Sequence, residues 1–290
     1  MRLSTGRFGT GGRCILPVNR SVNWNNPLAA RLVWFAAPGL PSIHEILTGA
    51  PGGIVPGGSF GIATRMGCGG GSRAAGGGVF WPFSEHLTRI TRDFTFVFWI
   101  RVDTDSFGYV WTVNYDGSTF FAVSLNIEYN ALNNSFDTRF YDNTATQHKA
   151  NGPANMYTGG SDGLACIAIR REGSNCEFFL NGVNFGNGSF GSTNDIDWNT
   201  KEDVTIATRS TFDPGDGLEG VIPLFHLFDG QLTDAEIYSL YSQPLQLLEE
   251  DIPIVKKAGA GPTRKPDFFP FFVSPQGTGS PARAGYGIAA

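Results

Sequence analysis

The chain has 290 residues, 41% of them hydrophobic and only 16% charged, with 39 glycines, 24 phenylalanines and a net charge of −5. A chain of this length buries one large core or two small ones, and no run in it approaches the ~18 apolar residues of a membrane-spanning helix. Four cysteines and four histidines, with no Cys-x-x-Cys among them, supply neither a disulfide framework nor a zinc site.

Charge is uneven along the chain. Residues 1–27 hold Arg2, Arg7, Arg13 and Arg20 and no acid; residues 251–290 hold Lys256, Lys257, Arg264, Lys265 and Arg283 against Asp251 and Asp267. These ends carry +4 and +3, which leaves −12 for residues 28–250. Two basic arms therefore flank an acidic body, and they are expected to lie on acidic surface, their own or a neighbour's.

In chain order, residues 1–27 lack periodicity and read as an extended arm closed by Asn23-Trp24-Asn25-Asn26-Pro27. The opening MRLSTGRFGTGGRC has no apolar h-region, which reads against a secretory signal. Leu28–Ala37 is a continuous apolar run suited to a buried first strand. Residues 52–78 hold 12 of the 39 glycines. They lack the strand-to-helix context and the Gly-Lys-Ser/Thr ending of a phosphate loop, so a loop or bulged edge strand is expected.

Thr91–Val102 alternates, with Phe94, Phe96, Phe98 and Ile100 on one face and Thr95, Val97, Trp99 and Arg101 on the other. Both faces are largely apolar, which predicts a central strand in a sheet covered on both sides. Tyr109–Asn114 and Thr119–Ile127, joined at Asp116-Gly117, read as a hairpin, and Phe136–Tyr141 as a further strand followed by polar chain to Gly163.

Leu164–Phe190 is a double hairpin with turns at 172–175 and at Asn181-Gly182, since Asn-Gly readily takes φ > 0 at both turn positions. This register sets Arg171 against Cys176 and leaves Cys166 opposite Asn181, so Cys166 and Cys176 are not bridged. All four cysteines are expected reduced and buried. Val204–Thr208 and Leu218–Phe228 are the last strands, with Pro223 marking an edge or a bulge. Thr233 and Glu236 form a capping box for a helix with Ala235, Ile237, Leu240 and Tyr241 as its apolar stripe, stopped by Pro244.

The pattern predicts an all-β protein: an antiparallel β-sandwich (jelly roll) with one short C-terminal helix and extended N- and C-terminal arms. Its parts are a basic arm at 1–27, the sandwich at 28–250 and a Pro/Gly-rich basic arm at 251–290.

Four stretches carry a family resemblance. Asn26-Pro27-Leu28 through Leu32-Val33-Trp34, the strand Phe94–Val102, the meander Cys166–Gly182, and Gly230-Gln231-Leu232-Thr233-Asp234-Ala235-Glu236-Ile237 to Leu240-Tyr241 with Pro244 occur in this order. Together they resemble the concanavalin A-like, laminin-G-type jelly rolls, in particular those of bacteriophage genomes. Members of that family bind glycans or proteins, hydrolyse glucans or build virion surfaces, so the resemblance implies the fold and not one function.

Hydrolysis in the laminarinase relatives uses a Glu-x-Asp-x-x-Glu type strand, and neither that spacing nor Glu-x-Asp-x-Glu occurs here. The pairs Asp103/Asp105 and Asp195/Asp197 sit beside Ser, Thr and Asn at strand ends and read as solvated loops. Asp195, Asp197, Asp213 and Asp216 are the acidic residues that a family-type calcium site would draw on. Trp81, Tyr109, Trp111, Tyr129, Tyr157 and Trp198 are the aromatics from which a glycan platform would be drawn, although most aromatics in a Phe-rich sandwich are core.

The segment 251–290 carries six Pro and six Gly around Phe268-Phe269-Pro270-Phe271-Phe272. Burying four Phe side chains is worth about 6–10 kcal/mol, so Phe268, Phe269, Phe271 and Phe272, with Lys256, Lys257, Arg264 and Lys265 beside them, are the expected partner-binding residues. The expected function is that of a non-enzymatic virion protein with no catalytic residues, cofactor or metal, made in the host cytoplasm. Head-surface decoration is placed ahead of a tail or fibre role. Its expected partners are other virion proteins and further copies of itself, with no nucleic acid and no membrane. A glycan-binding module for host attachment is the alternative.

Overall fold

The computed structural model describes residues 21–38, 45–54, 58–59, 71–72, 78–104, 107–114, 123–198, 203–207 and 217–249. Its strands are β1 (Leu32–Ala36), β2 (Gly53–Ile54), β3 (Gly58–Ser59), β4 (Gly71–Ser72), β5 (Val79–Trp81), β6 (Phe94–Val102), β7 (Gly108–Asn114) and β8 (Val123–Asn130). They continue with β9 (Ser135–Tyr141), β10 (Gln147–Ala150), β11 (Ala165–Glu172), β12 (Asn175–Leu180), β13 (Val183–Ser189), β14 (Val204–Ile206) and β15 (Gly220–Asp229), and one α-helix, α1 (Asp234–Ser242), follows.

A six-stranded antiparallel sheet runs β1-β15-β6-β11-β12-β13, and a seven-stranded one runs β10-β9-β8-β7-β14-β5-β2. They form a β-sandwich consistent with a jelly roll. Alternation on β6 explains the layering. Phe94, Phe96, Phe98 and Ile100 enter the core shared by the two sheets, with Trp111, Leu125, Ile127, Tyr129 and Phe136 from the seven-stranded side. Val97 and Trp99 point the other way, into a second core. There Leu28, Leu232, Ile237, Leu240, Leu247 and Leu248 cover Phe35, Cys166, Phe179 and Phe228. Around β6 the six-stranded sheet is thus buried on both faces, as the double apolar pattern of that strand requires.

The meander follows its predicted register. Arg171 pairs with Cys176, and the Asn181 N–H donates to the Cys166 carbonyl at 2.7 Å. Asn181 and Gly182 have φ of 52° and 80°, the turn conformation that Asn-Gly supplies. Cys166 and Cys176 are free and buried, and burial pushes both thiols well up. Cys14 and Cys68 lie outside the described residues.

Other expectations change. The first apolar run divides: Pro27–Arg31 is a 3-10 turn, with the Asn26 side chain accepting from the Leu28 N–H, and only Leu32–Ala36 is strand. Proline at the first position of the turn and the Asn cap outweigh the apolar continuity. The hairpin strand expected at Thr119–Ile127 is described from Val123 and runs on to Asn130, while β10 rises from what read as polar chain.

Pro223 does not mark an edge, because β15 lies between β1 and β6; the register shift against β6 between Val221 and Leu224 is the bulge. The capping box of α1 forms as expected. Its stripe is narrower, because Ala235 and Tyr241 are exposed and Ile237 and Leu240 alone of the four are buried.

Candidate functional site

Two features stand out: the outer face of the seven-stranded sheet and the pole where the described chain begins and ends.

On the outer face, one residue from each strand joins a continuous cross-strand row. Lys149 pairs with Arg139, Arg139 with Asn126, Asn126 with Thr112, Thr112 with Thr205, Thr205 with Phe80, and Phe80 with Gly53. The alternation that sends Leu125, Ile127 and Tyr129 inward turns Ser124, Asn126 and Glu128 outward. These outward residues are not at the surface. Thr112, Ser124, Asn126, Glu128, Asp137 and Thr205 each expose 2% or less.

Gly53 ends the row because a Cβ there would lie 2.3 Å from the Phe80 ring, so the ring rests on the glycine. Beside the row, Glu128 pairs with Asp137. The Lys149 ammonium lies 3.0 Å from Glu128 and 2.8 Å from Asp137, and Arg139 also contacts Glu128. Asp137 additionally accepts from the Gly152 N–H and the Asn130 amide, each at 3.0 Å.

Four atoms on this face have no hydrogen-bond partner among the described residues: Thr112 Oγ1, Asn126 Oδ1, Glu128 Oε2 and Arg139 Nε. Each such buried group costs on the order of 1–3 kcal/mol. Three sit side by side in the row, and Glu128 stands two residues along β8. A mixed set of donors and acceptors on a flat face suits a ligand rich in hydroxyl groups. Both carboxylates of this face, Glu128 and Asp137, are engaged by cations.

At the pole, the first and last described segments pair. Val22 bridges Leu248 in antiparallel sense, both 3% exposed or less. The Asn23 N–H donates to the Leu247 carbonyl at 2.8 Å and the Glu249 N–H to the Ser21 carbonyl at 3.0 Å. Asn26 adds an amide donation to Gln246 Oε1 at 3.0 Å. Trp24 stands 62% exposed on this turn.

The sequence-derived candidates fall elsewhere. Trp81, Tyr109, Trp111, Tyr129, Tyr157 and Trp198 are all buried, and the Tyr157 hydroxyl accepts from the Val102 N–H at 3.1 Å. Asp103 is paired with Arg101 and Asp195 with Arg92, both at the surface. Asp105, Asp213 and Asp216 lie outside the described residues, as do Phe268, Phe269, Phe271, Phe272, Lys256, Lys257, Arg264 and Lys265. Among the described residues, no three acidic, His or Cys side chains converge as a metal site. The polar row was missed because the strands were read for their apolar positions. Its signal is the alternation of Asn126 and Glu128 with Leu125, Ile127 and Tyr129, and of Asp137 and Arg139 with Phe136 and Phe140.

An antiparallel sandwich with a polar outer sheet face is the architecture of the lectin-like class. A laminin-G-type family model described as the concanavalin A-like lectin/glucanases superfamily matches residues 73–238, and the chain belongs to that superfamily. Comparison with curated protein sequences finds no significant match.

Among solved structures, the botulinum neurotoxin serotype D binding domain is similar at a TM-score of 0.55 and 8% identity, over 75% of this chain and 52% of that one. The binding domain of Paraclostridial Mosquitocidal Protein 1 gives 0.52 and 15%, over 74% and 52%. A Trypanosoma rangeli sialidase gives 0.51 and 13%, over 76% and 34%. This chain spans about half of each toxin domain and a third of the sialidase. At these identities the likeness is one of fold.

Proposed function

We propose that this protein is a non-enzymatic structural protein of a bacteriophage particle, a head-surface decoration ahead of a tail or fibre component, held by its two basic flanking segments. The observation that carries the reading is the pole. With Ser21 hydrogen-bonded to Glu249, the points at which residues 1–20 and 250–290 join the described body lie side by side. The segments that carry the +4 and +3 charges are therefore attached to the acidic body at one pole. Two tethers from one point resist rotation better than one, and their effective concentrations reinforce each other. The phage-type motif at 230–244 supports the context. Mass spectrometry of purified particles tests it; particles that lack the chain would sink the reading.

A second reading is favoured by the polar row: a glycan-binding module for attachment to host envelopes. It requires the face around Thr112, Asn126 and Arg139 to open to the sugar. Glycan-array binding that Asn126→Ala abolishes would support it, and binding indifferent to Asn126→Ala and Arg139→Ala would overturn it.

A further inference from the structure

We propose that Lys149 and Asp137 condense to an intramolecular isopeptide bond, with Glu128 as the acid–base group that relays the protons. The three side chains converge from adjacent strands. Glu128 on β8 pairs with Asp137 on β9, and the Lys149 ammonium on β10 reaches both, 3.0 Å from Glu128 Oε1 and 2.8 Å from Asp137 Oδ2. The carboxylates are 1% and 0% exposed and the lysine 31%. Nucleophile and electrophile are thus held in contact, and the lysine side stays open for a departing water. Lys149 is the only lysine among the described residues; the other basic side chains there are arginine or histidine. An arginine would serve an ion pair as well, but its guanidinium does not give up a proton to become a nucleophile.

The two oxygens of Asp137 stand in different surroundings. Oδ1 accepts from the Gly152 N–H at 3.0 Å, while Oδ2 faces the ammonium and accepts from the Asn130 amide at 3.0 Å. A Cβ on Gly152 would lie 2.2 Å from the Phe136 carbonyl oxygen, so glycine is what brings that N–H to the carboxylate. Oδ1 is therefore placed to carry the charge of a tetrahedral intermediate and to remain as the amide oxygen. Oδ2, beside the attacking group, is the oxygen that leaves. Glu128 divides in the same way. Its Oε1 is held by Arg139 and Lys149, and its buried Oε2 has no hydrogen-bond partner among the described residues. Oε2 is thus open to a proton in transit.

The condensation needs no co-reactant. One proton passes from the ammonium through Glu128 to Asp137 Oδ2, leaving a neutral amine beside a neutral acid. The Nζ lone pair attacks Cγ, forming the N–C bond and moving a C=O electron pair onto Oδ1. A second proton passes from the nitrogen through Glu128 to Oδ2. The Cγ–Oδ2 bond then breaks, water leaves and the Cγ=Oδ1 bond re-forms. Glu128 ends as it began. Fixed contact between the groups supplies the entropic advantage of an intramolecular reaction, and an ion pair with buried carboxylate becomes a neutral amide.

The test is the intact mass of the full chain, denatured, followed by tryptic peptide mapping. The expected wild-type protein is lighter than its sequence by one water, and its Asp137 peptide, ending at Arg139, is joined to the Lys149 peptide that begins at Phe140. Lys149→Arg restores the full mass, and Glu128→Gln leaves most of the chain unlinked. A wild-type chain at the full mass of its sequence overturns the proposal. So does a water loss that maps to a cyclic imide at an Asp-Gly step such as Asp116-Gly117, with trypsin still cutting after Lys149.

Discussion

The guanidinium carbon of Arg171 lies 3.9 Å from the centroid of the Phe140 ring, so a fully buried cation on β11 joins the six-stranded sheet to β9 of the other. Phe190 stacks from a second side at 5.1 Å, Nε donates to the Gly173 carbonyl at 2.8 Å, and Nη2 donates to Asn194 at 2.7 Å. Burial is the main reason its pKa falls to about 10. A lysine would suffer similar desolvation without the fork that reaches both carbonyls. Arg171→Lys should lose about 2–4 kcal/mol in urea unfolding, and Arg171→Met less, because it removes the buried charge altogether. A lysine variant as stable as wild type would show that the guanidinium geometry is unused.

His226 is the opposite case, a buried titratable ring packed among aromatic side chains. It is fully buried, and its neighbours are Phe35 at 4.5 Å and Trp99 at 5.8 Å. Burial lowers its pKa to about 3, so between that value and an unfolded value of about 6.5 the unfolded chain binds more protons. Stability therefore falls as pH drops through this window, by about 1.4 kcal/mol per unit. His226→Phe should flatten the decline and raise the melting temperature at pH 5 more than at pH 8. Equal gains at both pH values would remove His226 as the cause.

Glu45 closes the β1 edge with a side chain where a strand would otherwise be needed. Its carboxylate accepts from the backbone N–H groups of Phe35, Leu47 and Thr48, at 2.9, 3.0 and 2.7 Å. Glu45→Ala leaves these donors without that acceptor and should cost about 3 kcal/mol. Glu45→Gln should fall between, since its amide nitrogen cannot accept. Native-state hydrogen exchange at Phe35 reads the effect directly; unchanged protection in the alanine variant would count against the role.

Thr112→Val probes the polar row. It keeps the shape of the side chain and deletes a buried hydroxyl that has no partner. In the protein alone the change should stabilise by about 1 kcal/mol. A loss instead would mean that the hydroxyl is satisfied in solution, and the row would lose its reason to seek a ligand.

The sequence made the sandwich legible wherever a local rule coincided with a tertiary one. Asn181-Gly182 fixed a turn and with it the register that separates Cys166 from Cys176. Thr233 and Glu236 fixed the start of α1, and the double apolar pattern of β6 announced a sheet covered on both faces. The candidate sites were less visible because each is assembled across distance. Seven strands contribute one residue apiece to the polar row, and no two adjacent residues of the chain belong to it. The pairing of Ser21 with Glu249 joins residues 228 positions apart, and no window of sequence contains both.

That pairing makes truncation the sharpest test of where the body ends. Leu247 and Leu248 are 0% and 2% exposed and belong to the second core beside Val22, Leu28 and Leu240. A chain ending at Glu249 retains both leucines and the bonds from Asn23 and Glu249 that close the pole. It should therefore stay folded, with a melting temperature within a few degrees of the full chain. A chain ending at Pro244 loses two buried leucines, each worth about 1.5–3 kcal/mol of transfer free energy, and uncovers Val22 and part of α1. It should melt at least 10 °C lower or fail to fold, since about 1 kcal/mol shifts the midpoint of a domain this size by 2–4 °C. If the two truncations melt together, the pole contributes nothing to the body. If the longer one already unfolds, the segment beyond residue 249 is part of the fold, and the tether proposed for it falls.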